Sequence, residues 1–107
     1  MAWIRVCELS VLRANGGLKR VLDPRRPNAP GALVLLEDGE IVCALMNECP
    51  HAGGALTAGH RRDGWIECPL HSWRFDVRTG ECLSNPGERV ATFATRVVDG
   101  IVEVAFE

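Results

Sequence analysis

Apolar and polar residues alternate over short stretches of the chain, the period expected of half-buried strands. Trp3 to Cys7 alternates bulky residues and predicts a first strand; Leu18 to Asp23 predicts a second. Ala32–Glu37 and Glu40–Met46 are apolar, β-rich runs on either side of Asp38-Gly39, a strong short-range hairpin signal. The device recurs at Asp63-Gly64 ahead of Trp65-Ile66-Glu67, and at Asp99-Gly100 between Thr92–Val98 and Ile101–Phe106. No segment sustains a 3.6-residue apolar repeat. Ser10 to Gly17, broken by Asn15-Gly16-Gly17, reads as a turn or short irregular segment. Pro24, Pro27 and Pro30 remove three donors, so Asp23 to Gly31 is no strand interior but an exposed loop carrying Arg25 and Arg26. The pattern predicts an all-β fold of stacked antiparallel sheets.

Length and charge narrow the function. At 107 residues the chain is expected to be one domain, residues 1–107. A net charge of −2 gives no basic surface for nucleic acid and no polybasic segment for an anionic membrane. Met1 to Arg5 lacks the apolar core of a secretory signal, which points to the cytoplasm and to no membrane partner. In that reducing compartment a structural disulfide is not expected among the five cysteines. Cys7 and Cys43 fall on apolar strand-like stretches and read as small hydrophobes. Cys82 follows Thr79-Gly80 in a loop and is expected to be partly exposed.

The remaining two cysteines carry the chemistry. Cys49-Pro50-His51 and Cys68-Pro69-Leu70-His71 each offer one thiolate and one imidazole from a Pro-containing loop, with sixteen residues between His51 and Cys68. Thiolate and imidazole are ligands for iron and zinc, and four of them fill one metal site or one small cluster. A structural zinc site is the plain alternative. Zinc sites commonly pair Cys with Cys and His with His, whereas each loop here mixes the two. His60 has no neighbouring Cys and reads as a loop residue, not a ligand.

Cys-x-His, a gap of this size, then Cys-x-x-His resembles the Rieske iron–sulfur family. The likeness runs on through Trp73-Arg74-Phe75-Asp76, Thr79-Gly80 and the Pro86 loop. It implies a Rieske-like fold with a small cluster-binding subdomain, about residues 47–76, inserted in a larger base. It also implies one 2Fe–2S cluster, with Cys49 and Cys68 on the inner iron and His51 and His71 on the outer. Gly53-Gly54 would let backbone N–H groups approach the sulfides. The family's high-potential branch has an extra Cys pair where this chain has Gly54 and Leu70. That branch also has Ser and Tyr donors where this chain has Trp73 and Phe75. Removing those two donors from the cluster sulfurs disfavours the reduced form and implies a low potential, about −150 mV.

The sequence holds no carboxylate pair and no nucleophile–base arrangement, so it reads as a carrier and not an enzyme. The resemblance implies a monomeric Rieske-type ferredoxin, passing single electrons from a flavin-dependent reductase to a terminal ring-hydroxylating oxygenase. Pro50, Pro69, Trp73 and the Pro86 loop would form an apolar collar for docking, although Trp73 reads equally as core. The alternative is the small Rieske-like subunit of an assimilatory nitrite reductase.

Overall fold

One hairpin decides the architecture. In the computed structural model, which describes residues 2–38, 40–50, 54–62, 64–69 and 72–106, β3 and β4 are central. Strands β1 (Trp3–Glu8) and β2 (Leu18–Val21) precede them, with helix α1 (Leu9–Ala14) between. β3 (Ala32–Glu37) pairs antiparallel with β4 (Ile41–Met46), from Ala32 opposite Met46 to Glu37 opposite Ile41. All six β3 residues are buried, because both faces of the strand are covered. Strand alternation then sends successive residues to opposite sides. Leu33, Leu35, Cys43 and Leu45 enter one apolar cluster, while Val34, Leu36 and Ala44 enter another.

The second cluster is the simpler one. It is closed by Leu12 of α1 and by Val102 and Val104 of β9 (Ile101–Ala105). β9 lies between β1 and β8 (Thr92–Val98), completing a six-stranded sheet of order β1-β9-β8-β4-β3-β2. The β8–β9 turn has Asp99 at φ 51° and Gly100 at φ 77°, two positive values in succession as a primed hairpin turn demands.

On the other face sits a second, small antiparallel sheet: β5 (Arg61–Arg62), β6 (Trp65–Glu67) and β7 (Arg74–Asp76), in that order. Ile66, Phe75 and Val77 reach from it into the same cluster as Leu33 and Leu35. A single 3-10 turn, Leu56–Ala58, leads into it. Gly59 follows because a Cβ there would lie 1.7 Å from the Glu67 carbonyl oxygen.

The expected all-β architecture and the hairpin at Asp99-Gly100 are present; Gly39 and Asp63 lie outside the described residues. Two expectations fail. The segment read as irregular from Ser10 forms α1. Its glycines cap it, with Gly17 N–H donating to the Leu12 carbonyl (2.8 Å) and Gly16 N–H to that of Arg13 (3.3 Å). Cys82 is buried, not partly exposed, because its segment folds back to bridge Phe75 of β7.

Candidate metal centre

Two loops carry the predicted ligands, and the same kind of bond closes both. The first leaves β4 through Asn47. Cys49 N–H donates to the Gly54 carbonyl at 2.8 Å. The second leaves β6, and Cys68 N–H donates to the Trp73 carbonyl at 2.7 Å. Each bond spans five residues and begins at a cysteine. Within the second loop, Ser72 N–H returns a bond to the Cys68 carbonyl at 3.0 Å. His51 and His71, with Gly53 and Leu70, belong to these closures by sequence but lie outside the described residues.

Both sulfur-bearing residues are walled off from water. Cys49 is 1% exposed and Cys68 fully buried, in one apolar cluster with Leu33, Leu35, Leu45, Leu56, Ile66 and Phe75. Half-buried Trp73 packs against that cluster, so its core role is present whatever its outer edge does. Two thiols in one dry cluster, each opening a loop closed by backbone, fit an iron–sulfur group, which takes thiolate ligands and is sensitive to exposure. Among the described residues no group of three metal-ligating side chains occurs. Exposed His60 offers its carbonyl to Glu67 N–H at 2.7 Å.

The first loop is anchored by a residue that sequence reasoning passed over. Asn47 is 3% exposed, and its Oδ1 accepts from Thr57 N–H at 3.0 Å while its Nδ2 donates to Thr57 Oγ1 at 3.4 Å. Its own N–H donates to the Gly31 carbonyl at 3.0 Å, tying the loop to the residue that leads into β3. An Asn two residues before a candidate ligand Cys, followed ten residues later by Thr, was the available signal.

The second missed element ties the small sheet to the hairpin. Arg61 Nη2 lies 3.1 Å from Oε1 of buried Glu37 and also bonds the Leu36 carbonyl. Arg61 Nη1 donates to the Gly17 carbonyl at 2.9 Å, and Gly64 N–H donates to Glu37 Oε2 at 3.0 Å. Both carboxylate oxygens of buried Glu37 and both terminal nitrogens of part-buried Arg61 therefore have partners, the condition under which burying charge is tolerated.

Outward of Cys68, Arg74 stacks its guanidinium 4.4 Å from the Trp65 ring and holds Glu67 Oε2 at 3.2 Å. Cys43, on the same face of the hairpin, has its thiol pushed up from the usual 9.0, first by burial and then by the charge of Glu37. It is a neutral core group. Leu83, beside Arg74 through its N–H bond to the Arg74 carbonyl (2.7 Å), is 54% exposed.

Fold and site together define an all-β domain with a dry, thiol-bearing centre between two closed loops. The Rieske [2Fe-2S] domain matches residues 2–94, and the chain belongs to that family, whose cofactor is a 2Fe–2S cluster. The chain is 40% identical to the anthranilate 1,2-dioxygenase ferredoxin subunit of Burkholderia cepacia over 67 residues, 62% of each. It thus spans about three-fifths of that relative's length. A chain in the complex of reduced oxygenase and oxidized ferredoxin in carbazole 1,9a-dioxygenase superposes with TM-score 0.85 and 29% identity, covering 98% of this chain and 94% of that one. The NADH-dependent nitrite reductase small subunit of Mycobacterium tuberculosis superposes with TM-score 0.75 and 25% identity, over 96% and 93%. No helix among the described residues is long and apolar enough to cross a membrane.

Proposed function

We propose that this chain is a ferredoxin, a one-electron carrier whose single 2Fe–2S cluster is held by Cys49 and Cys68 on the inner iron and His51 and His71 on the outer. The pair of loops, each closed from a buried cysteine, carries this reading. When bound, the cluster supplies a one-electron couple whose potential depends on hydrogen bonds to its sulfurs and on exposure. The chain's own residues do the rest. Leu33, Leu35, Leu45 and Phe75 keep water from the two thiolates, and the two loop closures fix where those thiolates start.

The reading extends to the whole molecule: one domain over residues 1–107, with a cluster-binding subdomain of about 47–76 on a base formed by the remainder. It acts as a monomer in the cytoplasm, taking electrons from a flavin-dependent reductase and passing them to a terminal ring-hydroxylating oxygenase. The anthranilate and carbazole relatives support this partner class. The likeness to a nitrite reductase small subunit supports the second reading, a subunit in nitrite reduction.

Purified protein is expected to be red-brown and to contain iron and acid-labile sulfide in equal amounts, two of each per chain. Replacing both His51 and His71 with Ala should abolish the colour. Colourless wild-type protein, zinc in place of iron, or full absorbance in the double variant contradicts the site. Redox titration should place the couple near about −150 mV, and a value well above zero contradicts the low-potential assignment. Reconstituted turnover with a flavin reductase separates the two partner readings: ring hydroxylation supports the first, nitrite reduction the second.

A further inference from the structure

Three non-glycine residues among those described have left-handed backbone: Asp38 (φ 51°), Ser72 (φ 58°) and Asp99 (φ 51°). The two aspartates sit in Asp-Gly hairpin connections, where primed turns require that conformation and Asp tolerates it. Ser72 sits instead in the longer β6–β7 connection, residues 68–73, which has no Asp-Gly pair and no glycine to take that conformation. Its N–H bonds the carbonyl four residues back, on Cys68, and the next residue's carbonyl accepts from Cys68 N–H. A bond of that span onto a left-handed residue is the way a helical turn is stopped, at a position held mostly by Gly and next by Asn. Ser72 is exposed, so packing does not force the geometry. The two bonds that hold it both end on Cys68.

We infer that Ser72 is a positioning residue: its left-handed backbone, and not its hydroxyl, closes the second ligand loop and holds Cys68 in place for the cluster. This rests on the cluster assignment proposed above. Any residue that enters the left-handed region readily should serve. Gly and Asn share that property and little else. Ala lacks the hydroxyl but keeps the Cβ that causes the strain, and Val adds β-branching.

The test compares holo-protein of wild type, Ser72→Gly, Ser72→Asn, Ser72→Ala and Ser72→Val. Cluster loss is followed as bleaching of visible absorbance by an iron chelator, beside the visible circular dichroism and the reduction potential. Gly and Asn should lose the cluster about five-fold more slowly than Ala, and Val should lose it fastest. The dichroism and potential of Gly and Asn should match wild type, while those of Val should move. Equal rates across the series overturn the inference. So does a potential that shifts alike in Gly and Ala, because that makes the hydroxyl the active group. Wild-type protein lacking iron overturns the cluster assignment itself and this inference with it. Iron-replete wild type with a flat series overturns only the role of Ser72.

Discussion

The two faces of the β3–β4 hairpin arise from one alternation, yet they support different structures. Val34, Leu36 and Ala44 meet α1 and β9, part of a sheet whose strands run to seven residues. Leu33, Leu35, Cys43 and Leu45 meet a sheet whose strands are two or three residues long. Strands so short are not stable alone. The small sheet therefore takes its rigidity from the hairpin, through a shared apolar cluster and two polar ties. The sulfur chemistry follows the same division. Cys43, Cys49, Cys68 and Cys82 all belong to the cluster facing the small sheet. A metal centre there inherits a rigid floor without needing a rigid sheet of its own.

The Glu37–Arg61 pair offers the sharpest way to break this comparison. Arg61→Ala would leave a buried carboxylate whose oxygens keep, among the described residues, only the Gly64 N–H as partner. Removing one member of a buried pair costs about 3–5 kcal/mol. Denaturant unfolding should show that loss, with faster cluster release because the tie ends on the small sheet. The exposed Arg78–Asp38 pair, 51% and 66% open to solvent, is the control. Arg78→Ala should change stability by less than about 0.5 kcal/mol. Equal effects at Arg61 and Arg78 would mean that the small sheet is held by the apolar cluster alone.

Asn47 tests the second tie, with a smaller effect. Asn47→Ala strands the part-buried Thr57 N–H, a penalty of about 1 kcal/mol, the low end for an unsatisfied donor. Asn47→Asp keeps an acceptor for that donor and should recover part of the loss. If Ala and Asp are equally destabilised, the Thr57 bond is not what fixes the first loop.

The sequence made the strands legible wherever a turn announced them. Asp38-Gly39 and Asp99-Gly100 separated apolar, β-rich runs, although the unbroken apolar run of β3 was not read as a strand covered on both sides. Helix α1 was not legible, because in six residues only Leu9 and Leu12 fall on its inner stripe and two glycines resemble a break as much as a cap. β5 is two arginines, with no apolar pattern to read. Cys49 and Cys68 stood out as candidate ligands from spacing alone, since their loops carry the motif locally. Glu37 and Arg61 lie 24 residues apart, and nothing local to either names the other. Cys82 misled for the same reason: its loop composition was read correctly, but its bridge to Phe75 depends on the fold.

The smallest expected effects are two pH dependences that fall on opposite sides of neutrality. In the β2–β3 loop, away from both ties, Asp23 accepts from Arg25 N–H at 3.0 Å and from Arg25 Nε at 3.2 Å. Those bonds hold its carboxyl below the ordinary 3.8. A group lowered by folding stabilises above its unfolded value, and that contribution fades as pH falls below 3.8 and through the folded value. Asp23→Asn should therefore flatten the acid limb of the stability curve. Cys43 behaves in reverse: burial raises its thiol above 9.0, so its contribution is complete below that value and is lost as pH climbs. Cys43→Ala should flatten the alkaline limb while leaving the acid limb untouched. Chemical denaturation across both limbs checks the pair. An alkaline limb unchanged in Cys43→Ala would mean that the thiol facing the small sheet is reached by water, and that the floor beneath the metal centre is less dry than its packing implies.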